Sequence, residues 1–298
     1  MPKGPRRLYK YRAFNVNTLR LLNQAEVFYA DPTEFNDPLD SNPTIHVDTD
    51  IPSLEKLLYK MLLETEGKEH AQKQIGNHRY MSTEYGDYKS DPETATYYTG
   101  RLATHVHELL ANDLGRHGVM SLARKWNCPL MWSHYADEHR GLCIEYDMTD
   151  TVFKDLRPVA YDAPRAVRVS DLIDWKLKKS AAARERILST FFFSKAPQWR
   201  YEREWRDLAT EIGPQSAPAR ISAIHFGLRC DHSVIDAIVR LYARSEDRVK
   251  FFVMRPLDGS FQLKRCPVDT DEVEATSVRT PAFIEFRDMF VDESGDDT

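Results

Sequence analysis

The architecture this sequence predicts is a single α+β domain with a mixed, mostly antiparallel sheet core and one helical insert. Short alternating segments rich in aromatic and β-branched residues recur towards both ends of the chain. The stretch from Ser53 to about Gly115 places its apolar residues at helical spacing instead. Neither an internal repeat nor a low-complexity linker divides the chain. The domain is therefore expected over 1–290, with the insert at about 51–117. The acidic tail, 291–298, is expected to be disordered.

Taken in order, "RLYKYRAF" alternates and reads as a strand. "VNTLRLLNQA" has Leu at helical spacing, with Asn17 as its expected cap. "EVFYA" is a second strand. The Pro, Asp and Asn of "DPTEFNDPLDSNP" then demand a series of ordered turns. In the helical block, Leu54, Leu57, Leu58, Met61 and Leu62 form one stripe. Asp91-Pro92 opens a further helix with Pro at its first position. "GVMSLA" returns to a strand. Pro129 starts a short helix carrying Met131, Trp132 and Tyr135, which Gly141 is expected to stop in a left-handed conformation. "LCIEYD" and "RPVAYD" read as strands, and two helices follow, one capped near Ser170 and one beginning near Ala181. "WRYEREWRDLA" and "ISAIHFGL" are strands. Asp231 opens a helix, and "VKFFVMRP" with "SFQLKRC" form a hairpin through Asp258-Gly259.

Composition narrows the class. With 42% apolar and 29% charged residues in 298, the chain has the balance of an ordinary globular protein. No run approaches the ~20 apolar residues of a membrane span, and the N-terminal stretch lacks the apolar core of a signal peptide. Four scattered cysteines with no zinc-like spacing read as free thiols in a reducing cytoplasm. A net charge of −5 makes no global case for nucleic-acid binding. There is no Gly-rich dinucleotide turn, P-loop, nucleophile elbow or zincin helix. His134 and His139 are five apart and diverge on a helix, so no metal is expected from them.

Four segments carry candidate chemistry. As a strand, "WRYEREWR" puts Arg200, Glu202, Glu204 and Arg206 on one face. A solvated salt-bridge ladder explains that pattern. So does a carboxylate pair facing a cleft, where one member orients a hydroxyl and the other faces a developing cation. In "YKYR", Lys10 and Arg12 share a face, and Arg12 suits a bidentate phosphate contact. In "EFNDPLD", Asn36 and Asp37 set a turn and are candidate ligand contacts. Ser133 and His134 flank the short helix after Pro129.

"YKYR", "FNDPLD", "LMWSHYADEHRGLCIEYD", "VAYD", and Lys195 followed by "WRYEREWR" together resemble a bacterial family catalogued as domain of unknown function 2971. The order of these parts also resembles an ADP-ribosyltransferase-type fold. That second resemblance implies NAD as co-substrate, with Arg12 holding its phosphates or ribose. Ser121 would stand on a central strand, with Ser133 and Tyr135 on the helix after it, and Tyr9 and His134 would complete the cofactor-binding set. It makes Glu204 the catalytic carboxylate and Glu202 its partner. "MSLA" stands where that fold usually carries Ser-Thr-Ser. The resemblance further implies a protein or nucleic-acid acceptor and service in bacterial conflict or phage defence. Two other functions suit the same residues. One is a metal-dependent nuclease or phosphodiesterase using Glu202, Glu204, Asp147 and Asp37. The other is a non-enzymatic sensor or binding module.

Overall fold

The structure, a computed structural model, describes residues 4–83, 86–153, 155–243, 245 and 248–275. The acidic tail and the last residues of the expected domain lie outside this set. The strands are β1 (Arg7–Arg12), β2 (Glu26–Tyr29), β3 (Thr44–His46), β4 (Gly118–Ala123), β5 (Leu142–Asp147), β6 (Arg157–Pro158), β7 (Ala166–Arg168), β8 (Glu204–Ala209), β9 (Gly213–Ser216), β10 (Arg220–Phe226), β11 (Lys250–Pro256) and β12 (Leu263–Pro267). The helices are α1 (Val16–Gln24), α2 (Ile51–Thr65), α3 (Lys68–Thr83), α4 (Pro92–Leu114), α5 (Pro129–Tyr135), α6 (Val169–Lys176), α7 (Ala181–Phe192), α8 (His232–Tyr242) and α9 (Thr270–Ala275).

Eight strands form one sheet in the order β12-β11-β10-β5-β1-β4-β8-β6. Its pairs are antiparallel except β10 with β11. The sheet is not uniformly zipped. β1 pairs with β5 at six positions and β4 with β8 at six, but β1 meets β4 only at Tyr9 opposite Ala123. An opening is left in the sheet between β1 and β4. The Lys10 ammonium reaches across it to donate to the Ser121 carbonyl at 2.8 Å, satisfying an acceptor that regular pairing would have used.

The stripe Leu54, Leu57, Leu58, Met61 and Leu62 of α2 packs against Tyr98, Leu102, Val106 and Leu110 of α4. The same cluster continues into Val169, Leu172, Ile187, Phe191 and Phe192 of α6 and α7 and touches Val119 of β4. The insert therefore shares its core with the helices that follow it. The other face of β5 is equally regular, with Leu142, Ile144 and Tyr146 buried in a second cluster with Leu8, Ile224, Phe226 and Ile238. Asp91 caps α4, and Gly259 at φ 67 turns the β11–β12 hairpin.

Five local expectations need correction. Asn15, not Asn17, caps α1, because its extended backbone lets its side chain accept from the Thr18 N–H at 2.9 Å. Ser170 lies inside α6 and does not cap it; its N–H and hydroxyl both bond Asp48. "RPVAYD" is a strand only at Arg157–Pro158, with a bridge at Ala160. "WRYEREWR" is a strand only from Glu204. Pro197 opens a 3-10 turn over Pro197–Glu202, and Arg203 takes a left-handed φ of 48 before β8 begins. Gly141 does not stop α5. Asp137, Glu138 and His139 carry the positive φ values there (47, 50 and 71), and they double the chain back so that the Gly141 N–H donates to Ala136 O.

Gly141 is needed for a different reason. A Cβ at Gly141 would fall 2.2 Å from the Arg12 carbonyl oxygen, and one at Gly227 would fall 2.0 Å from the His139 carbonyl oxygen. These contacts, with Gly227 N–H donating to Gly141 O at 3.0 Å, seat the turn after α5 against β1 and the end of β10. Gly141→Ala is accordingly expected to lower the unfolding free energy by roughly 1–3 kcal/mol through overpacking. A urea unfolding midpoint equal to that of the unaltered chain would show that this backbone approach is not required.

Candidate active site

The opening between β1 and β4 leads into a cavity of about 250 Å³. Its walls come from β1 (Tyr9, Lys10, Tyr11), β4 (Ser121, Ala123) and α5 (Met131, Tyr135). The loop after β2 closes one side with Glu34, Phe35, Asn36 and Asp40, and Lys195, Glu202, Glu204 and Arg206 form the floor.

Arg206 organises that floor. It is 1% exposed and aims its fork at two carboxylates. Nη1 and Nη2 donate to the two oxygens of Asp40 at 2.8 and 2.6 Å. Nε and Nη2 donate to the two oxygens of Glu204 at 2.8 and 3.0 Å. The remaining Nη1 proton goes to the Phe192 carbonyl at 2.7 Å, so all five donors are used. Lys195 sits beside it, 2.6 Å from Glu202, 3.1 Å from Glu204 and 3.3 Å from Asp40. Burial works against the Lys195 charge, but Glu204 and Asp40 outweigh it and hold the ammonium protonated well above the usual lysine range.

The two glutamates differ. Glu204 accepts from Arg206 twice and from Lys195. These three charged donors occupy most of the roughly four acceptor sites of a carboxylate. Burial would raise its pKa, yet Arg206 and Lys195 push it far below the ordinary carboxylate range. Glu202 accepts one bond from the Tyr135 hydroxyl at 2.7 Å and one from Lys195. Burial, opposed by Lys195 but reinforced by the Glu204 charge, leaves its pKa raised. The left-handed Arg203 between them lets both carboxylates reach one ammonium, although Glu202 ends a 3-10 turn and Glu204 begins a strand.

Surrounding bonds tie the other motifs to this floor. Trp199 Nε1 donates to Asp37 at 2.8 Å. Tyr161 of "VAYD" receives the Glu204 backbone N–H at 2.8 Å. Asn36 donates to the Tyr135 hydroxyl at 3.3 Å. Of the residues expected from sequence, Glu202, Glu204, Tyr9, Ser121, Tyr135 and Asn36 line the cavity. Asp37 stands behind it, bonded to Trp199 and to its own turn at Leu39.

Three expected residues point elsewhere. Arg12 does not line this cavity: its Nε donates to Thr18 at 3.3 Å, and it borders a smaller pocket with Glu26 and Tyr146, to which Lys10 also contributes. Ser133 is exposed and bonds the Pro129 carbonyl at 3.1 Å. His134 is exposed among the rings of Tyr135, Trp199 and Tyr201. α5 turns these two outward by burying Met131 and Trp132. Asp40, Lys195, Arg206 and Lys10 were not expected. The signal for Asp40 was present in "FNDPLD" beside the turn-forming Asp37. Lys195 stood among the residues that carry the family resemblance, but no local pattern in "FFFSKAPQW" assigned it to the site.

Residues 131–206 match the model of a family described as protein of unknown function (DUF2971). That span runs from α5 to the arginine of the floor and includes Tyr135, Tyr161, Lys195, Glu202 and Glu204. No curated protein and no solved structure matches the chain. Among the described residues no group of three or more His, Cys, Asp or Glu side chains is arranged to hold a metal ion. Asp40, Glu202 and Glu204 converge instead on the Lys195 ammonium.

Removing one partner of a buried ion cluster leaves the others uncompensated. Arg206→Met is expected to cost roughly 3–5 kcal/mol of stability. Arg206→Lys should recover less than half, because an ammonium cannot bridge two carboxylates as a planar fork does. Glu204 binds its proton more weakly folded than unfolded. Its contribution is therefore full above the ordinary carboxylate range (about 4.3 for a free Glu) and is lost as pH falls below it. Urea unfolding should show the gap between the unaltered chain and Arg206→Met narrowing from pH 7 to pH 3. A constant gap would contradict the pairing.

Proposed function

We propose that the chain is a cytoplasmic enzyme that breaks the ribosyl–nicotinamide bond of NAD and passes the ADP-ribosyl group to an acceptor. The observation that carries this reading is the glutamate pair on one ammonium, whose members are pushed in opposite directions on a cavity wall. Paired carboxylates with separated pKa values are the usual equipment for cleaving a glycosidic bond through an oxocarbenium-like state. The order of motifs along the chain, shared with ADP-ribosyltransferase-type folds, supports the same choice.

The cavity fits part of the substrate. A volume of about 250 Å³ lies just below the ~300–1,000 Å³ of ordinary ligand sites, which suits a ribosyl-nicotinamide end with the remainder outside. Phe35, Tyr11, Met131 and Tyr135 supply apolar and aromatic wall for a ring.

The roles of the two glutamates are the reverse of those read from sequence. Glu204 has most of its acceptor sites taken by two cations and acts as a positioning residue that fixes Lys195 and Arg206. Glu202 has acceptor capacity left and faces the cavity. As the C1′–N bond breaks, the electron pair leaves with nicotinamide and positive charge develops on the ribosyl carbon. The Glu202 carboxylate opposes that charge. The acceptor hydroxyl then bonds to C1′ and gives its proton to Glu202, whose raised pKa suits it as a base. Tyr135 and Lys195 hold Glu202 in place. Protein, nucleic acid and water all offer such a hydroxyl, and transfer to a host macromolecule suits bacterial conflict or phage defence. A phosphodiesterase reading needs carboxylates free to gather metal ions, and here the Lys195 ammonium occupies their centre.

The test is release of nicotinamide from NAD, with and without cell extract as acceptor source. Glu202→Gln is expected to lower the rate by ~10²–10³ with little loss of stability. It should also remove the acid limb along which activity rises with pH. Glu204→Gln is expected to destabilise the fold as well as the activity. Absence of nicotinamide release under every acceptor condition, with chelator-sensitive cleavage of nucleic acid, would replace this reading with the nuclease one. Binding of NAD without turnover would leave a sensor.

A further inference from the structure

Arg12 does not reach the cavity, yet the cavity is not without a free cation. Lys195 and Arg206 are saturated by Asp40, Glu202 and Glu204. Lys10 is different. It lines the cavity, half-buried, and uses one of its three N–H donors on the Ser121 carbonyl. Among the described residues no carboxylate lies within ion-pair distance of it.

We propose that Lys10 receives a phosphoryl oxygen of the bound ligand in the opening between β1 and β4. The choice of phosphate as the anion rests on the nucleotide reading above; the position of the anion does not. An ammonium with two spare donors at a cavity whose walls are largely apolar is poorly satisfied until an anion arrives. The backbone bond to Ser121 holds it in the gap, so little freedom is lost on binding.

The charges around Lys10 set its titration. On its own strand stands Arg12, with Tyr9 and Tyr11 beside it; Glu204 and Arg206 face it from β8 and Glu202 from the turn before. Lys195, Asp40 and Glu34 complete the charged lining, with Tyr135 on α5. Burial first, and the neighbouring Arg12 second, push Lys10 down to about 8. Burial pushes Tyr9, Tyr11 and Tyr135 up, and carboxylates hold Lys195 and Arg206 protonated. An anion favours the charged form, so binding raises the Lys10 pKa. Affinity should then be steady below about pH 8 and fall above it, by up to roughly tenfold per unit.

The experiment is calorimetric titration of the full chain with inorganic pyrophosphate and with ADP-ribose. At pH 8.5, comparison of buffers with different ionisation enthalpies should show proton uptake on binding by the unaltered protein. Lys10→Met is expected to weaken ADP-ribose binding roughly 10- to 100-fold, as loss of a charged hydrogen bond does. At pH 7, where Lys10 is charged either way, Lys10→Arg should stay within a few-fold and Arg12→Met should leave affinity unchanged. Loss of affinity in Arg12→Met but not in Lys10→Met would overturn the proposal, as would absence of pyrophosphate and ADP-ribose binding. If Lys10→Met does not fold, the unaltered protein still decides, because binding without proton uptake overturns the assignment. Lys10-dependent binding without nicotinamide release would sink the glycosidic reading and leave this one standing. Nicotinamide release with an unchanged KM in Lys10→Met would do the opposite.

Discussion

The guanidinium of Arg206 joins three parts of the fold that are distant in sequence. Its own strand supplies Glu204, the loop after β2 supplies Asp40, and the end of α7 supplies the Phe192 carbonyl. With every donor used, the side chain has one satisfied orientation, and that orientation sets where both carboxylates stand. A buried ion cluster of this kind is weak evidence for net stability, because desolvation offsets much of the attraction. Its effect is on geometry. The loop carrying Asn36 and Asp40 cannot swing away from β8 without stranding charge, so it remains a wall of the cavity.

Lys195 transmits that constraint to the reacting side of the site. Its ammonium stands between Glu204, which Arg206 also holds, and Glu202, which has no second cation beside it. Two side chains of the same type, two residues apart, thereby acquire opposite proton affinities. The difference comes from the number of donors each receives in a dry environment. Lys10 is the third cation of the site, and its single bond to a backbone carbonyl sets it apart from the other two. The cavity thus has a tightly bonded floor and a cation on its β1 wall with donors to spare. Among the described residues no helix is long and apolar enough to cross a membrane.

Much of the secondary structure was legible because periodicity reports it directly. The β1 and β5 segments alternate in sequence, although β5 is buried on both faces, and the α2 stripe repeats at three and four. Caps were readable where one candidate residue stood before the helix, as with Asp91, and were misread where two Asn residues stood close together. Gly141 was rightly singled out, but its demand is spatial: the Arg12 carbonyl lies where a side chain would begin. No local pattern encodes a contact with a residue so far away in the chain. Half of "WRYEREWR" was misread for a related reason. The Pro197 turn and the left-handed Arg203 override an alternation that looks continuous on paper.

The sequence by itself determined the class of fold, the helical insert, and the motifs from which the site is built. It also determined that Glu202 and Glu204 belong together. Tertiary structure decided which side chains reach the cavity. Lys10 and Arg12 share a strand face, and alternation treats them alike. Both pair with β5 and neither pairs with β4, yet Lys10 reaches the Ser121 carbonyl and lines the cavity while Arg12 bonds Thr18 and does not. Tertiary structure also decided which glutamate is spent on holding the floor and which is left with acceptor sites. That depends on donors arriving from β8 and the stretch after α7, and a pattern along one strand carries no information about what approaches it from the others.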